Sequence, residues 1–182
     1  MTYDARAIGN LILDEAERDG FEISNLILQK LLYFSHGAFL LQTGEPLVKG
    51  YFEAWQFGPV HPTAYEAFKS AGEKPIKFRA RRLNPITRGF EEIARVNERR
   101  PRLVVSSVVN AYGGLGPGRL VDLSHAPNAP WAFVVENSKL RPMLGLRISD
   151  NLIRERFRYH KVSIGVIPRS GEPDEDAPFA SD

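Results

Sequence analysis

Hydrophobic residues are densest between Ile23 and Leu41, and their spacing predicts a helix. They cover well over half of the helix circumference, which is more than a helix with one buried face requires. The apolar positions are Ile27, Leu28, Leu31, Leu32, Phe34, Phe39 and Leu40. The long polar side chains among them are Gln29, Lys30 and His36. Ser24 is the expected N-cap, with Asn25 as the competing position. We therefore predict a buried central helix.

Shorter helices are predicted on both sides of the central helix. Asp4 is the expected N-cap of the first, from Ala5 to Arg18, and Gly20 is the expected left-handed residue after it. The valines between Arg102 and Tyr112 favour a strand by propensity, but their i, i+3, i+4, i+7 spacing favours a helix. The remaining predicted helices are Pro62 to Ala71, about Thr87 to Asn97, Pro117 through Leu123, and one capped by Ser149 that reaches Phe157.

Extended structure is predicted for a smaller part of the chain. Val48 to Phe57 is rich in aromatic side chains that favour strands, and Gly58-Pro59 is expected to end it. Asn128 to Trp131 is expected to be a turn, and residues 162–166 alternate as in a final strand, through Val162, Ile164 and Val166. The predicted fold is α+β and mainly α. It is a single compact helical domain at residues 1–167 with a short β element, followed by a disordered acidic tail at residues 168–182.

Composition restricts the class of protein further. The chain has 182 residues, enough for one stable domain, and it has no cysteine. The lack of cysteine excludes disulfides, thiolate metal sites and thiol catalysis. No apolar run reaches the roughly 18 residues that a membrane span needs, and the polar start is unlike a signal peptide. These features predict a cytoplasmic protein that does not enter membranes.

Charge is distributed unevenly along the chain, although its net charge is +2. Nine basic residues and three acidic residues lie between Lys77 and Arg102, which we call the basic segment. Three interpretations are open: an exposed face with ion pairs such as Glu91–Arg95, a site for an acidic protein, or a nucleic-acid site where Phe78 stacks on a base. The candidate partner-binding residues are Arg79, Arg81, Arg82, Arg95, Arg99 and Arg100.

Catalytic or metal-binding chemistry is not predicted from the four histidines, His36, His61, His125 and His160. No two of them lie at metal-ligand spacing, so neither a metal nor a cofactor is expected. His36 is expected to be a core residue that hydrogen-bonds to backbone. His125 is expected to be structural, with partner contact or acid–base catalysis as alternatives. The glycine-rich run at residues 113–118 lacks the GK[ST] ending of a phosphate loop and predicts a turn that ends a helix.

Three segments carry a resemblance that covers Tyr3 to Tyr159. They are residues 28–34 (LQKLLYF), residues 53–60 (EAWQFGPV) with Tyr65, and Leu123-Ser124-His125 followed by Pro130-Trp131. In this order and spacing they resemble the Panacea family, the SocA-like antitoxin domain of bacterial toxin–antitoxin systems and prophages. The matching residues, expected to serve mainly as scaffold, are Lys30, Leu31, Tyr33, Trp55, Gly58, Pro59, Tyr65, His125 and Trp131.

The resemblance implies a mainly helical domain that neutralises a cognate toxin by binding it. In the SocA-type case it also implies an adaptor that delivers the toxin to a ClpXP-type protease. It implies a binding protein and not an enzyme. Members pair with unrelated toxins, so the resemblance does not identify the target. The alternative function is a nucleic-acid-binding regulator that uses the basic segment.

Overall fold

Helix α2 (Asn25–Thr43) forms the centre of the computed structural model, which describes residues 2–138 and 145–161. All residues from Ile27 to Leu40 are buried. The Ser24 hydroxyl accepts a hydrogen bond from the Ile27 amide, and Gly44 ends the helix in the left-handed conformation. A helix that is apolar almost all round is therefore buried almost all round. The predictions of a central buried helix and of Ser24 as its N-cap are both confirmed.

The described residues form six further helices, five of which pack against α2. The Asp4 side chain caps the first helix and Gly20 ends it in the left-handed conformation, as predicted. Ser149 caps the last helix, also as predicted. Two of the helices are followed by 3-10 turns, at Lys69–Ala71 and Phe157–His160. The six are α1 (Ala5–Asp19), α3 (Pro62–Phe68), α4 (Arg99–Tyr112), α5 (Pro117–Ser124), α6 (Pro130–Ser138) and α7 (Asp150–Arg156).

Five short strands in the described residues form two small antiparallel sheets. The first sheet has the order β2-β1-β5, with Glu53 opposite Val60 and Phe52 opposite Ile148. The second is the hairpin of β3 and β4, with Leu83 opposite Phe90. The strands are β1 (Phe52–Trp55), β2 (Gly58–Val60), β3 (Arg81–Leu83), β4 (Phe90–Glu92) and β5 (Arg147–Ile148). The predicted α+β, mainly α fold class is confirmed.

The helix predicted from about Thr87 is wrong, because this part of the basic segment forms β4. The Asn84 side chain accepts hydrogen bonds from the amides of Ile86 and Thr87 and so stabilises a turn between β3 and β4. Pairing with β3 then replaces the hydrogen bonds that a helix would have supplied. The predicted Glu91–Arg95 pair across a helical turn is accordingly wrong. Glu91 pairs instead with Arg82 on the opposite strand, at 3.2 Å.

Two boundary predictions are also corrected. Gly58-Pro59 does not end the extended segment but lies in β2, because Gly58 has φ +96° and lets the chain reverse tightly after β1. Trp131 lies in α6 and not in a turn, since the turn ends at Asn128 (φ +65°) and Pro130 begins the helix. The predicted final strand, the acidic tail and the proposed domain boundary all lie outside the described residues.

Two buried hydrogen bonds of His160 attach the 3-10 turn at Phe157–His160 to the centre of the fold. The Nδ1 atom of His160 is 2.9 Å from the carbonyl oxygen of Leu123, and its Nε2 atom is 2.9 Å from the hydroxyl of Tyr33. A carbonyl only accepts, so Nδ1 donates to it and Nε2 accepts from the tyrosine. His160 is therefore held neutral between α2 and α5 in the folded state.

Protonation of His160 is expected to destabilise the protein in mild acid. Burial lowers the pKa of His160 from 6.5 to about 4. Between these values the unfolded chain binds more protons than the folded chain, so stability falls as the pH falls. The expected loss from pH 7.5 to pH 5 is about 2 kcal/mol. Urea unfolding at both pH values should show a smaller loss in His160→Asn than in the wild type. An equal loss would assign the acid sensitivity to other groups, such as His61 and His125.

Candidate partner-binding site

The three family-like segments converge around the side chain of Lys30. Lys30 lies on α2, is fully buried, and donates a hydrogen bond to the carbonyl oxygen of Pro59 at 3.0 Å. Burial lowers the pKa of its amine from 10.5 to about 7. Gly58 has no room for a side chain, because a Cβ atom there would overlap Ser124 Oγ and lie 3.1 Å from Lys30 Nζ. The lysine thus joins β2 to α2, with α5 packed against both.

Indole hydrogen bonds attach the third segment to the second. The Trp131 Nε1–H donates to the carbonyl oxygen of Trp55 at 2.8 Å, and the Trp55 Nε1–H donates to the carboxylate of the buried Glu53 at 2.7 Å. The Trp55 ring meets Tyr65 edge to face, with centroids 4.8 Å apart. Each indole N–H therefore has the partner that a partly buried tryptophan requires. Ring contacts and hydrogen bonds together fix α6 against β1.

His125 lies beside this cluster, stacked on Trp131. The two ring planes are 10° from parallel and their centroids are 3.6 Å apart. Burial and, second, the positive charge of Lys30 lower the pKa of His125. Its Nε2 atom is buried and has no hydrogen-bond partner among the described residues. Leu31 and Tyr33, the other matching residues, are buried in α2. That these family-like residues serve mainly as scaffold stays a prediction.

The other histidines are bound within the fold. His36 is buried and contacts Asp150 through Nε2 at 3.1 Å and the Val48 amide through Nδ1 at 3.5 Å. His61 contacts the Lys49 carbonyl oxygen through Nε2 at 2.8 Å. Within residues 2–138 and 145–161, no three His, Asp or Glu side chains lie close enough together to hold a metal ion.

Half of the predicted partner-binding arginines already have partners inside the protein. Arg79 binds two carboxylates of α1, Asp14 at 2.7 Å and Glu17 at 2.6 Å. Arg82 pairs with Glu91 across the hairpin. The Arg81 guanidinium donates to the carbonyl oxygen of Phe90 at 3.0 Å. Arg79 therefore attaches the start of the basic segment to the body of the domain, so its charge is largely neutralised.

The other three predicted arginines are exposed. Arg95, Arg99 and Arg100 form no ion pair and no side-chain hydrogen bond within the described part of the chain. Arg99 and Arg100 occupy the first turn of α4, which contains no acidic residue. The positive end of a helix dipole disfavours cations there. Their position is thus unfavourable for the stability of α4.

Sequence reasoning missed a set of exposed apolar side chains in the same segment. Leu83, Ile86 and Phe90 are all exposed. Part of the signal for a hairpin was present, because Asn84-Pro85 and Gly89 are turn residues. The flanking segments, Arg81–Leu83 and Phe90–Glu92, contain only one residue with a strong strand preference, Phe90. The exposed surface therefore combines free arginines with large apolar groups. Phe78, the residue considered for stacking on a base, packs instead against Phe68, with ring centroids 6.0 Å apart.

The described residues thus form a mainly helical α+β domain with a polar cluster around Lys30, and the basic segment exposes arginines and apolar side chains. The chain belongs to the Panacea family: the family model described as "Antitoxin SocA-like, Panacea domain" matches residues 28–132. The chain is also 42% identical over 177 residues to Antitoxin SocA of Caulobacter vibrioides (strain NA1000 / CB15N). That match covers 97% of this chain and 94% of the relative. No solved structure matches the chain. Among the described residues, no helix is both long and apolar enough to span a membrane.

Proposed function

We propose that this protein is an antitoxin that neutralises a cognate toxin protein in the cytoplasm by binding it. The observation that carries the proposal is the 42% identity to Antitoxin SocA over 97% of the chain. The action is binding and not catalysis, and the exposed arginines of the basic segment suit the carboxylates of an acidic partner.

Growth rescue tests the proposal. The cognate toxin is expected to be encoded beside this gene, as is usual for paired toxin and antitoxin genes. Induction of that neighbouring gene alone should stop growth of a test strain, and co-induction of this protein should restore it. Co-purification through an affinity tag on the toxin should then recover both chains. A neighbouring product that is toxic but neither rescued nor bound would contradict the proposal.

We further propose that the protein acts as an adaptor for a ClpXP-type protease. An adaptor lowers the amount of toxin, whereas a simple inhibitor leaves the amount unchanged and blocks its action. The toxin should therefore have a shorter half-life when this protein is present, and removal of the protease should abolish rescue. Rescue that persists without the protease, with a stable toxin, would leave antitoxin binding in place and refute the adaptor step.

A nucleic-acid-binding regulator is the second candidate, favoured by the exposed and unpaired Arg95, Arg99 and Arg100. Phosphate contacts by these arginines would make affinity fall steeply as salt rises. Gel-shift titration of duplex DNA and of single-stranded RNA at two salt concentrations measures this directly. Retention of nucleic acid through moderate salt, without any bound protein, would favour the regulator.

The variant Arg100→Glu, at the start of α4, is expected to weaken binding of the toxin without lowering the stability of the protein. Arg100→Glu replaces a cation with an anion at the helix N-terminus, so the free energy of unfolding should stay equal or rise by up to about 1 kcal/mol. The Kd for the toxin should become about threefold to tenfold weaker, mainly through slower association. Urea unfolding and calorimetric titration give the two quantities.

Arg119→Glu is the matched control for this prediction. Arg119 is exposed and lies in the first turn of α5, outside the basic segment. The same change in helix electrostatics should leave the Kd for the toxin unchanged. Equal effects of both variants on the Kd would mean that net charge matters and the basic segment does not.

A further inference from the structure

The hairpin of β3 and β4 exposes three large apolar side chains. Leu83 is 57% exposed, Phe90 is 65% exposed and Ile86, in the connecting turn, is 89% exposed. Leu83 and Phe90 are opposite each other in the strand register, so their side chains lie on the same face of the hairpin. Single exposed apolar residues are ordinary on protein surfaces, but a cluster of this kind marks an interaction site. We call these three residues the apolar ridge.

The face of the hairpin that carries Leu83 and Phe90 continues into a cleft. Arg81 and Glu92 lie two residues from Leu83 and Phe90 along their strands, and alternate residues of a strand share a face. Both Arg81 and Glu92 line a cleft of about 630 Å³ between the hairpin, α1 and the start of α4. The apolar ridge thus extends one wall of this cleft outward into solvent. A partner that covers the ridge would also reach the cleft.

Unpaired arginines outnumber unpaired carboxylates around the ridge in the described part of the chain. Arg88 and Arg95 are exposed and have no ion pair or side-chain hydrogen bond within the described residues. Arg95 also lines the cleft, where the carboxylates of Asp14 and Glu15 are paired with Arg79 and Arg102. Of the two hairpin carboxylates, Glu91 is paired with Arg82, and Glu92 is exposed on the face that carries the ridge. The surface that would meet this face is therefore apolar at its centre and acidic at its rim.

We propose that the apolar ridge is the anchor by which this antitoxin holds its toxin, seated in an apolar pocket of the toxin that is bordered by carboxylates. The inference rests on the proposed antitoxin function and adds the recognition element to it. Two of the three ridge side chains are aliphatic and cannot stack on bases, so the surface suits a protein and not a nucleic acid. The unpaired arginines provide the charged rim that guides association. The buried cluster around Lys30 holds the body of the domain and makes no contact with the toxin.

Serine substitutions with a matched control test the anchor. The probe is the purified product of the neighbouring toxin gene, titrated by calorimetry against the full-length protein. Phe90→Ser and Ile86→Ser should each weaken the Kd by about tenfold or more, as truncation of an anchor does. Phe57→Ser changes the same residue type at 57% exposure in the turn between β1 and β2, and should leave the Kd within about twofold. Thermal midpoints close to the wild type would show that the variants are folded.

The outcomes distinguish the anchor from the antitoxin function itself. If wild type binds the toxin and both ridge variants bind it equally well, the antitoxin function stands and the ridge is not the anchor. A loss with Phe57→Ser as large as that with Phe90→Ser overturns the assignment to this hairpin. If wild type fails to bind the toxin, both proposals fall. Ile86→Ser keeps the test valid if Phe90→Ser disturbs strand pairing, because Ile86 lies in the turn and is 89% exposed.

Discussion

Replacement of Leu32 by alanine is expected to lower the free energy of unfolding by about 2–5 kcal/mol. Leu32 is completely buried on α2, the helix against which α1, α4 and α5 pack. Truncation removes apolar contacts and leaves a cavity that the rigid neighbouring helices cannot close fully. Urea unfolding with linear extrapolation measures the difference. The change should appear in the midpoint and not in the slope, because the native state keeps its overall surface.

Leu41→Ala is the control for Leu32→Ala. Leu41 lies on the same helix, so the change in helix propensity is the same, but its side chain is 48% exposed. The expected effect is within about 0.5 kcal/mol, as for most surface substitutions. If Leu32→Ala were no more destabilising than Leu41→Ala, the central position of α2 would be contradicted.

The elements that were predicted correctly are those whose signals are local. The apolar positions of α2, the side chains of Asp4 and Ser149 at helix N-termini, and Gly20 after α1 each depend on neighbours within one helical turn. The hairpin was missed because its stability depends on partner strands and on a turn at Asn84. Phe90, Ile93 and Ala94 have helical spacing, and pairing with β3 overrides it.

The geometry of the buried cluster could not be predicted from spacing. Lys30 and Pro59 are 29 positions apart, and Trp55 and Trp131 are 76 apart, yet each pair is joined by a hydrogen bond. The resemblance to the Panacea family selected the right segments without indicating that they meet. The candidate arginines were chosen for charge alone. Charge could not reveal that Arg79 is neutralised by α1 while Arg99 and Arg100 are free.

The cluster around Lys30 and the exposed residues of the basic segment differ in burial, and so in the property that a substitution is expected to change. Lys30 is fully buried and the indole N–H groups of the cluster are satisfied, so changes there are expected to act on folding. The apolar ridge and the free arginines are exposed, so changes there should have little effect on stability and are expected to act on binding. Variants of the exposed face therefore measure recognition without loss of the fold, and variants of the cluster measure stability. This separation is what allows the antitoxin proposal to be tested by point mutation.

Stability is expected to rise as the pH is raised from 7 to 9, because of Lys30. Burial without a carboxylate partner lowers the pKa of this amine from 10.5 to about 7 in the folded state. Between these values the unfolded chain binds more protons than the folded chain, so deprotonation favours folding. The stabilisation is fully present above the unfolded pKa and is lost as the pH falls towards 7. Its expected size between pH 7 and pH 9 is about 2 kcal/mol.

Lys30→Met tests this prediction, because methionine fills a similar volume and cannot titrate. Urea unfolding at pH 7, 8 and 9 should show a clear rise in stability for the wild type and a flatter profile for the variant. Lys74→Met is the control, since Lys74 is exposed and its removal should leave the wild-type profile intact. A variant that kept the full rise would assign the pH dependence to another group. It would also mean that the Lys30 amine stays charged inside the cluster while it donates to the carbonyl oxygen of Pro59.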